Sequence, residues 1–291
     1  MSPRIFRNSQ AIPTRITNRD SPLGCNKKST AHKMKTAYSE NCVKINIRNG
    51  ESGLSPREKV MRFAIVNARS VNNKTAILVD HILEQKIDIC VVTETWLKDV
   101  DSVSIVALSP PGYYFKHFSR KSDRKGGGTG VLYNEIVKIK FVDGEEKRSF
   151  EFSEWNCKIV NHTVKLIAVY RPPYSLAHAV TSNMFFEEFT SFLENVVMCP
   201  EILLITGDFN FHMDERENHD TNKFLEILET FGLTQHVMVS THRSLHTLDL
   251  IIPRSSRDII INEIRPTLFL SDHCFIECNL GILRPNITKK E

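Results

Sequence analysis

Ile202-Leu203-Leu204-Ile205-Thr206-Gly207-Asp208-Phe209-Asn210 is a run of aliphatic residues that stops at a glycine, a carboxylate and a carboxamide. An apolar run without alternation suits a strand covered on both faces, although so short a run also suits a piece of buried helix. Gly207 favours the strand, because it permits a sharp or closely packed backbone just past a sheet. On extended chain Asp208 and Asn210 then point the same way, two residues apart. Taken alone, Gly-Asp-Phe-Asn is equally an ordinary turn of favoured turn residues, so the rest of the chain has to decide.

With 291 residues, 41% of them hydrophobic, the chain can build one large globular domain with an extension. No stretch approaches the roughly 20 apolar residues of a membrane span, and the N-terminus lacks the apolar core of a secretory signal. An intracellular protein, nuclear or cytoplasmic and not secreted, is expected. The seven cysteines form an odd set without a CxxC pair and read as reduced. The net charge of +4 hides an asymmetry: residues 1–57 hold eleven Lys/Arg against Asp20, Glu40 and Glu51, which leaves 27 basic and 31 acidic residues from Glu58 onward. The globular part therefore lacks the overall basic character of many nucleic-acid binders, though a metal ion and a local basic strip can neutralise phosphates that net charge ignores.

Residues 1–58 are rich in Ser, Thr, Asn and Lys/Arg, are broken by Pro3, Pro13, Pro22 and Pro56, and read as a disordered basic leader. A single domain is expected over 59–283, with a short tail at 284–291. It opens strand–helix–strand, with strands at Arg62 to Asn67 and Ile87 to Val92 around a helix at Lys74 to Glu84. Strands expected at 113–118, 129–133, 136–142, 150–160 and 164–170 form a meander, largely antiparallel. Helices follow at 185–197 and 221–231, the second closed by Gly232, and the last strands fall at 248–252, 259–264 and 274–280. Two sheets face to face with helices outside would bury such strands.

Polar residues recur at the ends of the buried strands: Asn67, Glu94, Tyr170, Asp208 with Asn210, Asp249, and Ser271-Asp272-His273. Each alone has a plain reading as a turn residue, a helix-start carboxylate or a loop pair. Their recurrence at one structural position is informative, because strand ends converge on one rim of a sheet. Carboxylates and carboxamides suit a hard cation such as Mg²⁺, and no Cys/His spacing of a zinc site is present. His273 is left for catalysis, and the set suits hydrolysis of a phosphate ester by an activated water. No P-loop, Gly-x-Ser-x-Gly elbow or Rossmann glycine pattern competes, and Gly126-Gly127-Gly128-Thr129-Gly130 precedes a strand rather than a helix.

Asn67, Thr93-Glu94-Thr95, Gly126-Gly127-Gly128, Tyr170-Arg171-Pro172-Pro173, Gly207-Asp208-Phe209-Asn210, His246-Thr247-Leu248-Asp249 and Ser271-Asp272-His273 together resemble the endonuclease/exonuclease/phosphatase superfamily. Within it, Glu94-Thr95-Trp96 and the segment from His246 to Ile251 look like the endonuclease domain of non-LTR (LINE-type) retrotransposons. The resemblance implies an α/β (α+β) four-layer sandwich of two mostly antiparallel sheets, and catalysis with Mg²⁺, for which Mn²⁺ can substitute. It implies Glu94 and Asn67 as metal ligands, with Asp272 assisting the metal or His273. Asp208 would orient or deprotonate the attacking water, Asn210 and Tyr170 would hold the phosphate, and His273, oriented by Asp249, would stabilise the transition state. Ser244-Leu245-His246 departs from the Gly-His that usually precedes Thr-Leu-Asp in the superfamily.

The expected function is a Mg²⁺-dependent DNA endonuclease that nicks one strand. Lys116, Arg120, Lys121, Arg124, Lys125 and Arg171 are the candidate DNA-binding residues, and the plain reading of the 116–125 loop is a solvated one. The alternatives are a phosphoesterase of the same fold acting on nucleotides, lipids or RNA, and a catalytically silent relic that binds nucleic acid. No protein partner is deducible.

Overall fold

The structure, a computed structural model, describes residues 59–98, 102–176 and 178–285. The leader expected over residues 1–58 and the last residues of the tail lie outside them.

The first sheet is built from β1 (Val60–Asn67), β2 (Ile89–Thr93), β3 (Tyr113–Phe118), β4 (Thr129–Asn134), β10 (Arg265–Phe269) and β11 (Cys274–Leu283). The second holds β5 (Lys138–Glu146), β6 (Glu151–Ile159), β7 (His162–Tyr170), β8 (Ile202–Asp208) and β9 (Asp249–Pro253). Their orders are β10-β11-β1-β2-β4-β3 and β5-β6-β7-β8-β9. Each sheet carries one parallel pair, β1 with β2 and β7 with β8, among antiparallel neighbours. Helices α1 (Thr75–Glu84) and α2 (Ser102–Ala107) pack on the first sheet, and α3 (Ser182–Val196) and α4 (His219–Thr230) on the second.

Strand alternation sorts the apolar residues into layers. In β1, Phe63 and Ile65 face the inner core, while Ala64 and Val66 face α1. In β8, Leu204 faces inward, while Leu203 and Ile205 meet the phenylalanines of α3 and α4. The unalternated run around Leu203 is therefore buried on both faces, as a continuous apolar strand requires. The result is the four-layer sandwich that the sequence led us to expect.

The outer layer of the second half is aromatic. Phe185, Phe189 and Phe192 form one face of α3; Phe185 and Phe189 meet Phe209 and Phe224 with ring centroids 5.8–6.4 Å apart, and Phe209 and Phe224 lie 5.4 Å from each other. Phe209 thus anchors the Gly-Asp-Phe-Asn segment in the core. Thr181 caps α3 by accepting the Met184 amide, and Asn218 caps α4 by accepting those of Asp220 and Thr221. Gly232, with φ +64°, ends α4 as its position predicted.

Gly207 has φ +137°, and a Cβ there would lie 1.9 Å from the Val169 carbonyl oxygen. Gly207→Ala is therefore expected to cost about 3 kcal/mol or more from steric overlap and backbone strain combined, read as a lowered urea midpoint.

Some boundaries differ from expectation. Residues 259–264 form no strand but only an isolated bridge from Ile260 to Leu280. Side chains there take the place of a ladder: Asp258 Oδ1 accepts the Ile260 amide, and Asn262 Oδ1 accepts the Asn279 amide at 2.5 Å. The edge position belongs to β10, whose residues are mostly exposed and carry no apolar period. Helix α2 also went unread, because Val103 and Val106 point outward. The described cysteines, at 90, 157, 199, 274 and 278, are free. No described helix is long and apolar enough to cross a membrane.

Candidate active site

Register places the site. In the second sheet Glu151, Tyr170, Asp208 and Asp249 are successive cross-strand partners, so the four side chains share one face at one rim. In the first sheet Asn67 pairs with Thr93, which directly precedes Glu94. The rows meet where Asn67 Nδ2 donates to Asp208 Oδ2 at 2.7 Å and to Glu94 Oε1 at 2.9 Å. Asn67 Oδ1 accepts the Arg69 amide, fixing which end of the carboxamide faces the acids.

Each acid is held from its far side. Glu94 Oε2 accepts Trp96 Nε1 at 2.9 Å, and Glu94 adopts φ +50°, a strained value for this residue type. Asn210, also at positive φ, donates its backbone amide to Asp208 Oδ1 and its Nδ2 to Asp208 Oδ2, while a second Nδ2 bond reaches the Arg171 carbonyl. Asp249 Oδ2 lies 2.7 Å from His273 Nδ1. Ser271 accepts the His273 amide and donates to the Asn67 carbonyl, tying the His273 loop to β1. Tyr170 lies within electrostatic reach of Glu94 and Asp208.

Burial sets the charges. Asp208 is fully buried, and that desolvation, reinforced by Asp249 and Glu94, pushes its carboxyl well above the usual range. His273 is buried too, which opposes its charge, but Asp249, its hydrogen bond and Asp208 outweigh this and hold it up to about 10. The imidazole is thus a cation near neutrality. Burial first, then Glu94 and Asp208, push the Tyr170 phenol far up, so it stays a neutral donor.

Asp208, Glu94 and Asp249 put more acid in this rim than His273 alone neutralises. An oxygen-rich donor set with one carboxylate forced toward protonation fits a hard divalent cation, which would relieve that repulsion. Glu94 is the carboxylate that faces such a position, whereas Asn67 presents its Nδ2 there and would offer Oδ1 to an ion only with its carboxamide turned over.

Asp272 lies on the far side of His273, with a carboxylate oxygen within 4.8 Å of ring nitrogens of both His273 and His242. It pairs with Arg69 and with His242 Nε2, 3.1 Å away, and the His242 ring packs edge-on to His273 at 4.7 Å. Neither Arg69 nor His242 was picked out from the sequence. Both sit in irregular loops where no period marks them, and only the fold brings them to Asp272.

The basic residues divide. Arg120 is buried, with Nε 3.1 Å from Glu151 Oε2 and Nη1 donating to the Lys125 carbonyl, while Glu151 also accepts the Gly128 amide. Arg171 is buried as well and donates to the carbonyls of Phe209 and Asn210. Lys116 donates to the Ile139 carbonyl, and Arg124 binds Glu146 at 2.7 Å. Arg120 and Arg171, expected at the substrate, instead brace the walls of the site, since a count of cations does not reveal which have a buried carboxylate or carbonyl waiting. Lys121 and Lys125 lie over the rings of Phe118 and Trp96. Arg120→Met should lower stability by about 3–5 kcal/mol by stranding the Glu151 charge, and adding Glu151→Gln should restore part of the loss in denaturant melts.

A family profile described as the endonuclease/exonuclease/phosphatase family matches residues 45–273, across all of these rim residues. The chain belongs to this family. Its members are typically metal-dependent phosphodiesterases and nucleases. Solved structures of similar fold include the endonuclease domain of TRAS1, a telomere-specific non-LTR retrotransposon, with 14% identity over 77% of this chain and 99% of that one and a TM-score of 0.59. The Xenopus laevis APE2 catalytic domain is similar at 13% identity, covering 78% and 94%, with a TM-score of 0.60. The Neisseria 3′ phosphatase NExo, bound in its structure to a product DNA hairpin, is 18% identical over 76% and 99%, with a TM-score of 0.57. No curated protein sequence matches the chain.

Proposed function

We propose that the chain is a Mg²⁺-dependent DNA endonuclease that nicks one strand. The observation that carries this reading is the joint of the two sheets, where Asn67 ties Glu94 to Asp208 beside a charged His273–Asp249 pair.

In this reading Glu94 would hold the cation, with Asn67 joining through Oδ1 once its carboxamide turns over, and the bound cation would neutralise phosphate charge as a Lewis acid. Asp208, fixed by Asn67 and by two bonds from Asn210, orients a water for in-line attack and accepts its proton, a task matched to its raised affinity for one. Tyr170 would donate toward the scissile phosphate, and Asn210 would join it only by releasing an Nδ2 hydrogen now held by Asp208 or by the Arg171 carbonyl. The imidazolium of His273, held in one orientation by Asp249, faces the negative charge that grows on the phosphoryl oxygens. Asp272 acts indirectly, by fixing Arg69 and His242 around His273.

DNA is favoured over a small phosphoester by Lys121 and Lys125, two cations seated on aromatic rings beside the Glu94 segment, an arrangement suited to a phosphate backbone. The likeness of fold to a retrotransposon endonuclease domain agrees with this. The direct test is conversion of supercoiled plasmid to open circles in Mg²⁺, with none in EDTA; absence of nicking in Mg²⁺ and Mn²⁺ alike refutes the proposal. Lys121→Gln with Lys125→Gln should lower the slope of binding against log salt by up to about two and slow nicking most at high salt. Hydrolysis of bis-p-nitrophenyl phosphate should be untouched. Equal loss on both substrates would assign the lysines to the fold, and loss on neither would favour a small-molecule phosphoesterase.

A further inference from the structure

Two catalytic loops come together a second time outside the rim. His212 and Glu215 follow β8 on the loop that begins with Asn210, and His246 lies on the loop that enters β9 at Asp249. The rings of His212 and His246 stack with centroids 3.7 Å apart and planes 14° from parallel. His212 Nδ1 is 3.0 Å from Glu215 Oε1, and His246 Nδ1 is 3.0 Å from Asp214 Oδ2. The other Asp214 oxygen accepts the Thr247 amide at 2.8 Å.

We propose that His212, His246 and Glu215 form a second metal site, selective for Zn²⁺ and similar borderline cations, with Asp214 as the residue that orients His246. Ligand atoms from the three residues already lie within 4.8 Å of one another. In a tetrahedral zinc site, bonds of roughly 2.0–2.2 Å place neighbouring ligand atoms about 3.3–3.5 Å apart. The His212–Glu215 pair needs to open by only a few tenths of an ångström to admit the ion, and because the two rings lie nearly parallel, His246 must tilt out of the stack for its lone pair to converge on that ion.

The donor chemistry separates this site from the rim. Two imidazoles and one carboxylate match zinc with a fourth position left to water, whereas the carboxylate-rich rim around Glu94 and Asp208 suits Mg²⁺. Asp214 supplies the carboxylate that metal-binding histidines commonly carry on their other ring nitrogen, and the Thr247 amide holds it in place. Unlike the rim acids, His212 and Glu215 are exposed, so an ion reaches them without passing the catalytic centre. Bound there, it would pin the Asn210 loop to the loop that delivers Asp249.

The test is calorimetric titration of the full chain with Zn²⁺ in excess Mg²⁺, paired with the visible spectrum of bound Co²⁺. One equivalent should bind the wild-type protein and Glu94→Ala alike, and Co²⁺ should give the intense bands of a four-coordinate site. His212→Ala and His246→Ala should each weaken binding by ~100-fold, and Asp214→Asn by ~10-fold. As these side chains lie at the surface, melting curves of the metal-free variants should overlay the wild type, and two independent histidine variants keep the test valid if one fails to fold. Absence of saturable Zn²⁺ binding overturns the proposal. So does binding that survives both histidine variants, or that is lost in His242→Ala instead, which would place the ion at Asp272.

Discussion

Asp208→Asn should lower turnover by at least ~10²-fold and at the same time raise the melting temperature of the metal-free protein. The first effect follows from loss of the group assigned to the attacking water. The second follows from where Asp208 sits. It is fully buried, next to Asp249 and Glu94, and its proton affinity is raised in the folded state. A carboxyl with a folded-state pKa above its unfolded value contributes stability that is complete below the unfolded value and is lost as pH rises through the folded one. Asparagine removes that pH-dependent loss. The variant should therefore gain a few degrees over wild type at pH 8 in EDTA, the scale of about 1 kcal/mol in a domain of this size, and little near pH 4. Mg²⁺ should narrow the gap by neutralising the same charge. A variant less stable than wild type at pH 8 would mean that the Asn67 and Asn210 bonds to the carboxylate outweigh its burial.

His273→Ala should cost a similar factor in kcat, but Asp249→Asn is the more discriminating change. In the wild type, burial works against the imidazolium, and Asp249 with its hydrogen bond holds it up to about 10, so the charged form persists across the neutral range. Without the Asp249 charge, burial is opposed mainly by Asp208 and the proton is held less tightly. Activity of the variant should fall as pH rises above neutrality, at pH values where the wild-type His273 still carries its charge. A uniform drop at every pH would mean that Asp249 only orients the ring.

Much of the site was legible because buried strands carry their own ruler. Asn67, Tyr170, Asp208 and Asp249 each close or open an apolar run, and matching runs stack in register, so their polar ends arrive at one rim. The reading failed where that ruler is missing. Strand β10 is exposed on both faces and has no apolar period, so its place was given to Ile259 and its neighbours, which are apolar, although Asp258 takes the Ile260 amide and Asn262 takes the Asn279 amide of β11. Charge failed for a related reason. Arg120 and Lys121 are adjacent and identical in formal charge, yet one is buried on Glu151 and the other lies over Phe118, and only the packing distinguishes them. His242 and Arg69 reach Asp272 from loops far apart in sequence, a proximity that exists only after the sandwich forms.

The pairing of β1 with β11 along Met61 to Ile65 bears on how the protein is made. β1 is a central strand, yet one of its two neighbours is the last to be synthesised, roughly 200 residues later. At ribosomal speeds of about 5–20 residues per second, one edge of β1 waits on the order of tens of seconds for its partner. Through that interval the nascent chain presents an apolar strand edge open to any other strand, the condition that invites aggregation and chaperone binding. Catalytic competence, which needs His273 immediately before β11, should therefore arise only after that strand has been made and paired, making activity a reporter of a closed first sheet.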